Sequence, residues 1–172
     1  DHFGLHGRVH IQVGTLSKAV GVLGGYVCGS RDLIDFLYHR ARPFLFSTSH
    51  PPAVTAACLA AFQILEDEPE RVQTLWDNTN YYKGLLKQAG FDTGVSQTPI
   101  TPIIVGEAKT AHEFSKALFD EGLWATGIGF PTVPKGKARI RTIVTAAHSR
   151  EQLDRAVEIL TRVAKRQGIL AA

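Results

Sequence analysis

Gly14-Thr15-Leu16-Ser17-Lys18-Ala19 follows an alternating run, Val9, Ile11 and Val13 against His10 and Gln12, and sits in a glycine-rich stretch continuing through Gly21, Gly24, Gly25 and Gly29. The alternation predicts a strand. Glycines let a backbone approach a ligand closely. Thr15 and Ser17 present hydroxyls at alternate positions, a pattern suited to a phosphate. Lys18 supplies an amine that can form a Schiff base if burial or nearby cations loosen its proton. An ordinary flexible loop with a solvated lysine fits the same string, because short runs of Thr, Ser, Lys and Gly are common. The string is not a P-loop, since Gly-x-x-x-x-Gly-Lys-Ser/Thr is absent.

Working outward, Gly25-Tyr-Val-Cys28 predicts a short buried strand. Arg31 to Ala41 has helical spacing in Leu33, Ile34, Leu37 and Tyr38 and stops before Pro43. Phe44 to Thr48 reads as a short strand or extended segment. Pro51-Pro52 opens a helix to about Asp67, with proline in its favoured first-turn place. That helix is apolar on nearly all sides, which predicts burial in a core or an oligomer interface. Pro69 starts a longer amphipathic helix ending at Gly90, a good residue just past a helix C-terminus.

After Gly90 the pattern changes. Ile100 to Val105 predicts a strand, and Thr110-x-x-Glu113 a capping box opening a helix to about Glu121. Leu123 to Ile128 and Ala138 to Val144 predict two more strands. Ser149-x-x-Gln152 is a second capping box, and Leu153, Val157, Leu160 and Val163 form the stripe of the last helix. The order β-α-β-β-α is that of a small α/β or α+β sandwich. Three segments are expected: 1–65, a connecting helix at 66–90, and a compact unit at 91–172.

The composition, 44% hydrophobic and 20% charged over 172 residues, excludes a disordered chain. The net charge of +3 is weak, and its carriers are scattered apart from groups such as Lys135-Gly-Lys137-Ala-Arg139-Ile-Arg141. Without a basic stripe interleaved with aromatics, no nucleic-acid partner is expected. No apolar run approaches the ~20 residues that span a bilayer, so no membrane partner is expected. Cys28 and Cys58 lie in apolar contexts and read as buried free thiols, pointing to a reducing, cytoplasmic compartment. The chain contains no methionine and starts Asp1-His2-Phe3, as expected for a piece of a longer polypeptide.

Other residues admit two readings each. On a strand, Arg139 and Arg141 point to one face. Two guanidiniums there can clamp a carboxylate, or they can be the charges of a solvated edge strand. Phe46-Ser47-Thr48-Ser49-His50 brings three hydroxyls before a helix, either as an anion site or as simple capping. His148 reads as structural. His2, His6, His10 and His112 lack metal-ligand spacing, so no metal is expected.

Together these pieces resemble one family. Gly14-Thr-Leu-Ser-Lys-Ala19, then Gly24-Gly25-Tyr26, Arg42-Pro-Phe-Leu-Phe-Ser-Thr-Ser49, Pro131-Thr-Val-Pro-Lys-Gly-Lys-Ala-Arg-Ile-Arg141 and Thr145-Ala-Ala-His148 stand in the order found in the α-oxoamine synthases. Those are fold type I enzymes that use pyridoxal 5'-phosphate (PLP). The resemblance implies an α/β fold: the end of a large PLP-binding domain plus a small α/β C-terminal domain. It implies that Lys18 forms the Schiff base and Thr15 holds the cofactor phosphate. Phe46, Ser47 and Thr48 would reach the phosphate of the neighbouring subunit of a homodimer, and Arg141 would bind the substrate carboxylate. The implied substrates are an amino acid and an acyl-CoA. Glycine with acetyl-CoA is the expected pair, and alanine with pimeloyl-CoA, losing carbon dioxide, is the alternative. The aspartate that pairs with the cofactor ring and the histidine that stacks on it are expected upstream of residue 1. A reading of a different class is a non-catalytic piece that serves packing and dimerisation.

Overall fold

The computed structural model describes residues 2–171. The chain divides into two compact units, one reaching Pro69 and the other starting at Glu70.

The first unit opens with a hairpin. β1 (Gln12–Thr15) pairs antiparallel with β2 (Gly25–Cys28), setting Gly14 opposite Tyr26 and Thr15 opposite Gly25. β1 thus begins three residues later than Val9, and Val9 and Ile11 are exposed ahead of it. Three helices follow. Ser30 caps α1 (Arg31–Arg40) by accepting the Leu33 N–H at 3.3 Å. α2 is the single turn Arg42–Leu45, and α3 is Pro52–Asp67. The strand expected at 44–48 is therefore absent. Pro43 sits in the first turn of α2 and fixes a helical φ there, which outweighs the β preference of the two phenylalanines.

Burial in this unit departs from expectation. No residue of α3 is buried, although the helix is apolar around its circumference. An apolar helix needs a facing layer, and the described residues of this unit contain none that encloses it. Its packing includes the Tyr26–Phe62 edge-to-face pair, 6.2 Å between centroids. Cys28 is exposed and Cys58 half-buried for the same reason, and both are free thiols.

The second unit carries a complete core. α4 (Glu70–Gln88), β3 (Ile100–Gly106), α5 (Ala108–Asp120), β4 (Thr126–Ile128), β5 (Ala138–Ile143) and α6 (Arg150–Arg166) follow in order. β5 lies between β3 and β4 and is antiparallel to both. Ile103 and Ile140 from the sheet pack with Leu86, Phe114, Leu118, Leu160 and Val163 from the helices, all fully buried. The segment read as a connector is therefore α4, which supplies Tyr82 and Leu86 to this core.

Two ends differ from the sequence reading. α5 starts at Ala108, with Glu107 at its N-cap and no side-chain cap bond, so Thr110 falls inside the first turn. Gly106, at φ +84°, turns the chain directly from β3 into the helix. β4 keeps only the last three residues of the 123–128 run, because Leu123 N–H closes the end of α5 on Leu118 O at 2.9 Å. The box at α6 forms in full: Ser149 Oγ accepts Gln152 N–H at 3.3 Å, and Gln152 Oε1 accepts Ser149 N–H at 2.9 Å.

Candidate active site

The lysine loop is built on the β1–β2 hairpin. Leu16 N–H donates to Gly24 O at 2.9 Å and Val22 N–H to Leu16 O at 3.0 Å, extending the hairpin one step past the strands. Leu16 is buried and anchors the loop, while Thr15, Ser17 and Lys18 are exposed around it. The Lys18–Gly21 turn closes with Gly21 N–H on Lys18 O at 3.0 Å, and Gly21 takes φ +72°.

Three polar atoms converge here. Thr15 Oγ1 and Ser17 Oγ lie 2.9 Å apart, and Lys18 Nζ donates to Ser17 Oγ at 3.5 Å. No carboxylate pairs with Lys18 among the described residues. An amine can condense with an aldehyde, and two hydroxyls beside it can donate to an oxyanion. The glycines keep the approach open. A Cβ at Gly14 would overlap the Tyr26 ring, and one at Gly24 would overlap the His50 imidazole.

A groove of about 750 Å³ runs beside the hairpin, lined by Gly14, Gly25, Tyr26, Tyr38, Phe44, Ser47, Ser49 and His50 among others. It brings Ser47 to the strand carrying Thr15, but neither Thr15 nor Lys18 lines it. Thr48 and Ser49 take left-handed φ values of 59° and 69°. Their hydroxyls do not cap α3, whose N-cap is Pro51 without a side-chain bond. Instead Ser47 Oγ donates to Phe44 O at 3.1 Å and Thr48 Oγ1 to Ser47 O at 2.7 Å. Phe46, 74% exposed, has the Arg42 guanidinium 5.6 Å from its ring centre.

In the second unit, Arg139 stands opposite Ile104 and Ile128, and Arg141 opposite Pro102 and Thr126. Both guanidiniums leave the sheet on the face away from buried Ala138 and Ile140. β5 is the central strand, so the two arginines are not the charges of an edge.

Asn78 was not singled out by the sequence. It is 5% exposed, and its Nδ2 donates to Thr145 O at 3.2 Å and to His148 O at 2.8 Å. Carbonyls only accept, so this amide orientation is fixed by its partners. It clamps the Thr145–His148 turn, in which His148 Nδ1 also accepts Thr145 N–H at 3.1 Å. The available signal was a polar residue one helical turn before Tyr82 on the apolar stripe of α4. Tyr82 itself is pushed up to about 12 by burial.

The chain belongs to the aminotransferase class I and II family, whose pattern matches residues 1–160. Within that family it is 61% identical over 170 residues to the 8-amino-7-oxononanoate synthase of Symbiobacterium thermophilum, covering 99% of this chain and 43% of that one. It is 58% identical over 170 residues to a Thermus thermophilus protein named 8-amino-7-oxononanoate synthase/2-amino-3-ketobutyrate coenzyme A ligase, covering 98% and 43%. A solved structure of SPT with PLP internal aldimine superposes with a TM-score of 0.92 at 28% identity, over 98% of this chain and 43% of that chain. These relatives agree with the α-oxoamine synthase resemblance and with a fold type I α/β architecture. The chain spans less than half the length of each.

Proposed function

We propose that the protein is a PLP-dependent α-oxoamine synthase that joins alanine to pimeloyl-CoA, giving 8-amino-7-oxononanoate, CoA and carbon dioxide. The observation that carries this reading is the 61% identity to a relative of that name. The sequence alone favoured glycine with acetyl-CoA, giving 2-amino-3-oxobutyrate and CoA. The doubly named Thermus relative, at 58% identity, keeps that pair as the second reading.

Lys18 Nζ would hold the cofactor covalently, and Thr15 Oγ1 would donate to its phosphate. When bound, PLP supplies an electron sink for the carbanion formed at the amino acid's α-carbon. Lys18 Nζ would also accept the proton from that carbon, and its exposed position on the loop leaves the amine accessible to substrate. Arg141, exposed on β5 opposite Pro102 and Thr126, would pair with the substrate carboxylate.

We assign Phe46, Ser47 and Thr48 to the phosphate bound by the partner subunit of a homodimer. The exposure of all three, and the absence of Lys18 and Thr15 from the groove that Ser47 lines, support that assignment. Two free thiols support a reducing, cytoplasmic setting. No helix among the described residues is long and apolar enough to cross a membrane.

Assaying the full-length holoenzyme with each substrate pair tests the reading. Carbon dioxide release with alanine and pimeloyl-CoA, at a kcat/KM above that for glycine and acetyl-CoA, supports it. The opposite ranking transfers the function to the second pair.

A further inference from the structure

No aspartate or glutamate occurs between Glu121 and Glu151, while Lys135, Lys137, Arg139, Arg141 and Arg150 fall in that interval. Three of these cations flank the turn joining β4 to β5. Lys137 N–H closes on Pro134 O at 3.1 Å and Gly136 takes φ +74°, so Lys135 and Lys137 stand on either side of a tight exposed turn. Lys135 Nζ lies 5.3 Å from the ring centre of Phe130, which is itself 61% exposed. Arg139 Nε donates to Lys137 O at 3.0 Å, drawing its side chain back toward the turn. None of the three forms an ion pair with a carboxylate among the described residues. They therefore form an unneutralised positive patch, partly preordered by a cation–π contact and a backbone bond.

We propose that this turn binds the phosphates at the nucleotide end of the acyl-CoA donor. The inference rests on the acyl-CoA reading above and adds a binding site to it. Arg141, on the same face of β5 as Arg139, would be occupied by the amino acid's single carboxylate, so the remaining cations call for a ligand with several charges. Of the proposed substrates only the acyl-CoA has them. Lys137 lies about 13 Å along the chain from Arg141 at ~3.3 Å per extended residue. An extended pantetheine arm is at least that long. The thioester can reach the amino acid's α-carbon while the phosphates remain at the turn.

The test uses the full-length holoenzyme and the double variant Lys135→Glu/Lys137→Glu, with Lys87→Glu/Lys165→Glu as a charge-matched control. Two donors are compared: pimeloyl-CoA and the N-acetylcysteamine thioester of pimelate, which lacks the nucleotide. The expected result is a rise of about ten-fold or more in KM for pimeloyl-CoA, equivalent to ~1.4 kcal/mol. The KM for the truncated thioester, kcat and the control variant should be unchanged. Equal losses with both donors, or no loss with either, would overturn the proposal. Equilibrium dialysis with CoA as the probe separates it from the activity reading. If the wild type binds CoA and the double variant binds it about ten-fold more weakly, the site stands even where neither acyl-CoA is turned over. Equal CoA binding, or none to the wild type, removes the site.

Discussion

Replacing Asn78 isolates the contact that clamps the Thr145–His148 turn. In Asn78→Ala both carbonyls lose the amide donor, and Thr145 O keeps the His148 N–H at 3.4 Å. The Thr145 end is exposed, so water replaces that bond and the loss is near the ordinary net value of about 1 kcal/mol. The bond to His148 O is shorter, at 2.8 Å, and that residue is half-buried, so its loss is nearer the cost of an orphaned acceptor, about 1–2 kcal/mol. The expected destabilisation is thus about 2–3 kcal/mol by urea unfolding at neutral pH. Asn78→Asp is the sharper variant, because it turns a carboxylate toward two carbonyl oxygens. It should be worse than alanine at pH 7. Its folded-state pKa is raised by burial and by the carbonyls, so the folded state takes up a proton before the unfolded one does, and stability recovers as pH falls through that raised value. A loss below about 0.5 kcal/mol for Asn78→Ala, or an Asp variant no worse than the Ala variant at pH 7, would refute the assignment of this amide as the clamp.

Two further outcomes follow from a surface ion-pair cluster and from the lysine loop. Arg166 and then Arg162, bonding to Glu121 at 2.8 Å each, hold its carboxyl below the usual glutamate range. Stability from this group is therefore present above the unfolded-state pKa and is lost as pH falls through the depressed folded value. Glu121→Gln should lower Tm at neutral pH, converge with wild type in acid, and show a smaller difference in 0.5 M salt, since the pairs are exposed; a pH-independent difference would contradict this. Gly24→Ala meets the His50 imidazole at a φ of +113°, so it should weaken PLP retention by the full-length protein more than Gly4→Ala, at an open turn, when both are followed by absorbance; equal effects would remove Gly24 from the site.

How far the sequence carried differs between the two units. In the second, the capping box at Ser149 and the stripe of α6 agree with each other, and both appear in the structure as read. Arg139 and Arg141 fell on one face because strand alternation is a local property, whereas their central position depends on β3 and β4 arriving from elsewhere. The start of α5 was misplaced because Gly106 turns the chain four residues before the Thr110 signal and the helix begins at Ala108. In the first unit, Pro43 settled α2 against the aromatic pattern around it. The apolarity of α3 and of the Cys28 context predicted burial that the described residues of this unit do not supply, because a pattern does not say which stretch of chain provides a covering layer. Asn78 escaped notice because its partners, Thr145 and His148, lie about seventy residues away. The five motif pieces were individually ambiguous, and their order along the chain was what distinguished them.

The role of Lys18 is tested most directly by loading the full-length protein with PLP, reducing with borohydride and mapping the peptides by mass spectrometry. The account predicts a pyridoxyl adduct on Lys18, and none anywhere in Lys18→Ala. An adduct on another lysine, or one that persists in Lys18→Ala, would contradict it.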